Sequence, residues 1–198
     1  IIFNDTSTKW KLKIVKYNKN LQKRLNITIF DYKAYSGKYI MYKNDGTGKE
    51  YNNYNNDLIF EGEYLKGERN GEGKEFKDGN LLFEGEYSNG KRNGKGKEYK
   101  DGELIFEVEY SNGKRNGKGK EYKDGELIFE GEYYFGKRNG KGIEYNEGNI
   151  IFEGDYINGI KHGKGKEYDN NGDLIFEGEY LYGSRNGKGK SYYGGLMY

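Results

Sequence analysis

The residues of this chain that could do chemistry come in series. Glu84 and Glu86 stand two apart, and equivalent carboxylates return along the sequence. Such pairs could serve as an acid and a base. Each pair recurs in step with lysines such as Lys95 and Lys97, however, which is the pattern of a solvated charge ladder. His162 is the single histidine, and it takes the place held by Asn93, Asn116 and Asn139, so it reads as a loop residue. The Gly-Lys-Gly-Lys run at 94–97 falls within a strand pattern and not at a strand-to-helix junction, so it does not cradle phosphate. There is no Cys and no cluster of metal-ligand types. The sequence therefore points away from an enzyme, and no cofactor or metal is expected.

A second series is cationic. Arg69, Arg92, Arg115, Arg138, Lys161 and Arg185 recur in loops such as Asn-Gly-Lys-Arg-Asn at 89–93. With two strands between them they would line one edge about 10 Å apart. There they could meet an anionic surface of lipid headgroups or nucleic acid. Edge charge also keeps a sheet from pairing with other chains. Lys+Arg number 34 and Asp+Glu 32, a near balance that favours this second role, and no nucleic-acid partner is expected.

Both series ride on a repeat. Phe-Glu-Gly-Glu-Tyr begins at Phe60, Phe83 and Phe129, and at Phe176 after one extra residue near Asn170–Asn171. It appears as Phe-Glu-Val-Glu-Tyr at Phe106 and Phe-Glu-Gly-Asp-Tyr at Phe152. Phe83, Phe106, Phe129 and Phe152 stand 23 residues apart. A Gly-x-Gly-Lys-Glu-aromatic block follows in step at Gly71, Gly94 and Gly117, with Ile143 replacing Lys in the block at Gly140. A degenerate copy covers 35–51, giving about seven units in all. Apolar residues make up only 33%, but aromatics reach 17%, with 22 Tyr. Aromatic residues held in strict phase suit strands, not a disordered tract. Each unit predicts two strands, such as Leu104–Tyr110 and Lys95–Tyr99, joined by Lys-Asp-Gly and by Ser-Asn-Gly-Lys-Arg-Asn turns.

An odd period sets a condition. A regular antiparallel meander with even turns would put Phe106 on the face opposite Phe83. One extra residue per unit repairs this. The candidate is Lys100-Asp101-Gly102, as a three-residue loop with Gly102 left-handed in a bulge. Tyr99 would then pair near Glu103, and Gly96 would lie beside Phe106. The Phe and Tyr rings would share one face above bare glycine backbone at Gly94 and Gly96. On the other face Glu84 and Glu86 would oppose Lys97 and Lys95.

These residues resemble the MORN-repeat family (membrane occupation and recognition nexus). The aromatic-x-Gly-x-Tyr block, the 89–93 loop, the Gly-x-Gly blocks and Asp-Gly carry the likeness, as does Lys161-His162-Gly163. The Asp124-Gly-Glu-Leu-Ile lead-in is similar to the YwqK-like bacterial variant. Val108 departs from the first glycine, and the 35–51 unit lacks the Lys-Arg loop, so these two units are expected to pack differently. The resemblance implies a mostly β chain: an elongated, single-layer, twisted antiparallel β-meander solenoid with a groove along one face. It implies a scaffold or interaction module, binding a protein segment or a second copy of itself, at cytoplasmic, cytoskeletal or membrane assemblies. A single-layer sheet cannot bury both faces, so the expected partner groove is the aromatic strip: Phe60, Tyr64, Phe83, Tyr87, Phe106, Tyr110, Phe129, Tyr133, Phe152, Tyr156, Phe176 and Tyr180.

Residues 1–34 differ from the array at 35–193. An N-cap cluster at Asp5-Thr-Ser-Thr precedes Trp10, Ile14, Tyr17, Leu21 and Leu25, the stripe of a short amphipathic helix with basic flanks. The helix would cap the array, or sit on an anionic membrane or acidic partner. A peripheral membrane tether is thus the alternative function. Residues 194–198 look like a truncated next repeat, and a chain starting at Ile1 reads as a fragment. No apolar run approaches 18 residues, so no membrane-spanning helix is expected.

Overall fold

The dipeptides that close the strands decide the architecture. In a computed structural model, which describes residues 37–193 together with Asn20, Lys23 and 196–197, Asn89-Gly90 and Asp101-Gly102 are two-residue turns with both φ positive. Their φ angles are 49° and 77°, and 52° and 86°. That is the turn that matches the twist of a hairpin, and Asn, Asp and Gly tolerate it best. It recurs at both ends of successive strands and makes the chain fold back on itself repeatedly.

The strands are β1 (Lys38–Tyr42), β2 (Thr47–Asn52), β3 (Leu58–Leu65), β4 (Glu68–Lys77) and β5 (Asn80–Ser88). Next come β6 (Lys91–Lys100), β7 (Glu103–Ser111), β8 (Lys114–Lys123), β9 (Glu126–Tyr134) and β10 (Lys137–Asn146). The last are β11 (Asn149–Ile157), β12 (Ile160–Tyr168), β13 (Leu174–Leu181), β14 (Ser184–Tyr193) and the short β15 (Leu196–Met197). Each pairs antiparallel with the next, in chain order. Fourteen of them form one open sheet, and β15 adds to β14. No helix occurs within 37–193. The helix expected in 1–34 lies outside the described residues.

The period is reconciled as its parity requires, but at a different place. Lys100 pairs with Glu103 and Tyr99 with Leu104, so the turn is a plain two-residue one and not a three-residue loop. The odd residue is Ile105, because the register slips between Tyr99↔Leu104 and Glu98↔Phe106. Hence Gly96 lies beside Val108, and Glu98 beside Phe106. The loop prediction failed because Asp101 itself accepts positive φ, which lets the tight turn form and moves the bulge into the strand. A second irregularity falls between Gly85↔Gly96 and Tyr87↔Arg92. It adds two residues on β6, an even number, and leaves the faces unchanged. Phe83, Glu98 and Phe106 therefore point to one side.

Candidate binding faces

The sheet has two faces of opposite character. On the ring face, the glycine pairs Gly85↔Gly96 and Gly131↔Gly142 leave a bare strip of backbone. In the units that keep both glycines, the Phe lies on that strip. A Cβ placed on Gly142 would stand 2.5 Å from the Phe129 ring, so glycine is required by close approach. Rings then meet edge to face along the sheet. Phe83 is 5.6 Å from Tyr87 and 5.2 Å from Tyr110, and Phe129 is 5.9 Å from Tyr133 and 5.4 Å from Tyr156.

A polar lid closes this stack. Arg92 lies 4.0 Å above the Phe83 ring, and Arg138 3.9 Å above Phe129. Each lid cation is held by a carboxylate of the preceding unit. Glu121 accepts hydrogen bonds from Arg138 Nε at 2.7 Å and from the Tyr133 hydroxyl at 2.5 Å. Glu75 does the same with Arg92 at 2.6 Å and Tyr87 at 2.8 Å. Glu98 serves Arg115 at 2.6 Å and also Tyr110, and Glu167 serves Arg185 and Tyr180. Lys161 fills the arginine place in one unit, 2.8 Å from Glu144 and 3.9 Å over Phe152. At the first unit Glu50, almost fully enclosed, pairs with Lys38 and Arg69 and accepts from Tyr64. Burial pushes the carboxyls of Glu75, Glu98 and Glu121 up, but their Arg and Tyr partners more than offset it and hold them below the ordinary range. Tyr133 and Tyr87 move the other way, raised by burial and by the adjacent carboxylate.

The expected aromatic residues are thus brought together, though not as an open strip. Phe60, Phe83, Phe129 and Phe152 are 0% exposed, and Tyr87, Tyr110, Tyr133, Tyr156, Phe176 and Tyr180 are buried with them. Tyr64 and Phe106 are partly buried against the same cluster. The six loop cations Arg69, Arg92, Arg115, Arg138, Lys161 and Arg185 are folded over these rings and do not line a free basic edge. Sequence reasoning missed the carboxylates that recruit them. The available signal was a fixed separation: Glu75 to Arg92, Glu98 to Arg115 and Glu121 to Arg138 are each 17 residues.

Val108 shows how tight the glycine strip is. A Cβ on Gly119 would meet Val108 Cγ2 at 2.5 Å, where other units place the Phe ring. Phe106 is accordingly displaced outward, half-buried, with Arg115 3.4 Å above it. The expectation that this unit packs differently holds.

The opposite face is a groove. Its floor is the glycine strip and its walls are Lys and Glu. One segment of about 840 Å³ runs from Lys43 to Lys118; a second of about 500 Å³ shares Glu107 and Lys118 with it; a third of about 590 Å³ continues through Lys141 to Lys188. Along it, directly opposed residues alternate in sign: Lys74, Glu84, Lys97, Glu107, Lys120, Glu130. Lys74–Glu84 is 3.1 Å and Lys97–Glu107 3.8 Å. Ile143 breaks the row between Glu130 and Glu153. The Tyr99 hydroxyl donates to Glu84 at 2.6 Å, and burial followed by this carboxylate pushes it up to about 12. Glu86 does not pair with the Lys95 side chain as expected. It accepts the Lys95 backbone N–H at 2.9 Å and so caps the bulge at Gly94, a stronger demand because that N–H has lost its ladder partner. His162 packs beside Tyr182, ring centroids 6.3 Å apart. No group of three or more His, Cys, Asp or Glu among the described residues could hold a metal ion.

Stacked two-strand units, each closing its aromatic core only against its neighbour, define a β-solenoid repeat protein. A family model described as MORN repeat matches residues 60–81, 83–103, 109–126, 129–150, 152–174 and 176–195. The chain belongs to the MORN-repeat family. Curated protein sequences give no match. Among solved structures, an S. aureus TarM mutant in complex with fondaparinux, alpha-GlcNAc-glycerol and UDP is 11% identical, with 85% of this chain and 27% of that chain covered and a TM-score of 0.20. A crystal structure of TarM is 9% identical over 87% of this chain and 25% of that one, with a TM-score of 0.18. The chain spans about a quarter of the length of these proteins, and a likeness this low carries no argument.

Proposed function

We propose that the chain is a non-catalytic scaffold that holds an extended segment of a partner protein along the groove face. One observation carries this reading: the groove runs from Lys43 to Lys188 across the repeats, with exposed charges of both signs along its walls. A surface that lengthens with every unit suits a long, extended occupant, whose own charges can pair in register with the walls. The aromatic residues then act as core, keeping the groove rigid so that little ordering entropy is lost on binding.

The alternative of a peripheral membrane tether draws on the basic stretch 9–24, of which only Asn20 and Lys23 are among the described residues, and on loop cations that are engaged over rings. We therefore place it second. Affinity capture from source cells with mass spectrometry separates the two. The double variant Lys97→Gln, Lys120→Gln should fold normally by thermal unfolding and lose a partner that the native chain captures. Undiminished capture contradicts the groove. Binding to anionic vesicles at low salt without any protein capture replaces the scaffold with the tether.

A further inference from the structure

One edge of the sheet carries Leu65 with Lys66 and Glu68 at the β3–β4 turn, then two polar turns, then three apolar ones. The turns joining β5–β6 and β7–β8 carry Ser88-Asn89 and Ser111-Asn112 at their tips. The next three turns on the same edge carry Tyr134 and Phe135, then Ile157 and Ile160, then Leu181 and Tyr182. These six are 58, 60, 47, 46, 38 and 80% exposed. Apolar tips at three consecutive turns make a contiguous surface of the sort that marks an interaction site.

One feature argues that this surface is selected against local preference. Phe135 and Tyr182 both sit at φ 50°, in the position where Asn89, Asn112 and Asn158 stand in other turns. Asn adopts that left-handed conformation readily, and aromatic residues resist it. The edge is also preorganised. Gly136 N–H donates to the Arg115 carbonyl at 2.9 Å, Gly159 to Arg138 at 2.8 Å, and Gly183 to Lys161 at 3.0 Å. Each apolar turn is thereby stitched to the unit before it.

We infer that this edge docks an amphipathic α-helix of a partner protein whose apolar stripe is flanked by acidic residues. Spacing gives the first argument. Successive tips are two strands apart, roughly 9.5 Å, close to the roughly 10.5 Å that seven helical residues span. One apolar side chain per heptad can then meet each turn. Charge complementarity gives the second. Lys114 reaches over Phe135, its Nζ 4.7 Å from the ring centre, and Lys137 stands at the same tip, while no acidic residue occurs in 134–137, 157–160 or 181–184. The same charge disfavours the chain's own apolar-periodic stretch at 10–25, which carries Lys11, Lys13, Lys16, Lys19, Lys23 and Arg24. A bilayer fits less well, because Arg138, Lys161 and Arg185 in these units are committed to Glu121, Glu144 and Glu167.

The surface is separate from the groove, so it can be tested separately. The probe is a synthetic three-heptad helix with one Leu per heptad on one face and Glu on its flanks, followed by fluorescence anisotropy with the full chain. The tip variant carries Tyr134→Ser, Phe135→Asn, Ile157→Ser, Leu181→Ser and Tyr182→Asn, residues that equivalent turns of this protein already use. Binding by the native chain, weakened at least tenfold in the tip variant and unchanged in Lys97→Gln, Lys120→Gln, supports the inference. Equal binding by the tip variant, or by a helix with Lys in place of Glu, overturns it. So does finding that the tip residues instead drive self-association in sedimentation, or binding to phosphatidylserine vesicles, with no binding of the helix.

Discussion

The two faces of the sheet are written by the same strands, yet they differ in what holds them. On the ring face of the Phe129 unit the groups hold one another: Phe129 lies against Gly142, Tyr133 and Arg138 bond Glu121, and Arg138 covers the Phe129 ring. On the groove face Lys120 and Glu130 meet in solvent at 3.7 Å, both substantially exposed. The lesson is that a single-layer sheet can build a core on one side without a second layer, if glycines let rings lie flat and arginines roof them. The other side is then left available. What sorts residues between the faces is the single odd bulge at Ile105 and its equivalents.

If that contrast is correct, substitutions should rank by face. Phe129→Ala removes a fully enclosed ring and should cost about 3–5 kcal/mol in urea unfolding. Glu121→Gln takes the nearer of two carboxylates from the Arg138 guanidinium, leaving Glu144 at 3.1 Å, and should cost about 1–3 kcal/mol. A loss of less than about 0.5 kcal/mol would remove the lid from the account.

The same carboxylates set a pH dependence. The folded-state pKa values of Glu75, Glu98 and Glu121 lie below the ordinary value. Their contribution is therefore complete above the unfolded carboxylate pKa, roughly 4.3, and is lost as pH falls through the depressed folded values. Stability should drop on acidification below that point, less steeply in Glu121→Gln than in the native chain.

Lys120→Gln on the groove face should change stability by less than about 1 kcal/mol, since its pair is solvated. The smallest effect is expected at the apolar edge and has the opposite sign. Phe135→Asn relieves a left-handed aromatic residue and should raise the unfolding free energy slightly, by under about 1 kcal/mol. A loss of stability there would mean that Phe135 is structural.

How much of this was legible in the sequence follows from which forces are local. Strand pairs and their turns are set by Asn-Gly, Asp-Gly and alternation, all visible over a few residues, and the shared side of Phe83 and Phe106 follows from parity. The position of the bulge is not legible, because turn length and strand irregularity satisfy the same parity, and only the tolerance of Asp101 for positive φ chooses between them. The pattern groups the aromatic residues on one side but does not show that they are covered. The roof comes from Arg138 reaching Glu121 in the preceding unit, a contact across 17 residues that no local pattern displays. Val108 was recognisable as a departure, and its consequence for Phe106 needed only the size of its side chain against a glycine strip.

Val108 also supplies the sharpest test, because it opens in one unit the enclosure found in the others. Hydroxyl-radical labelling of the free chain, read residue by residue by mass spectrometry, should modify Phe106 faster than Phe83, Phe129 and Phe152, which should stay protected until the chain unfolds. Rapid labelling of all four rings in the folded protein would contradict an enclosed, arginine-roofed core.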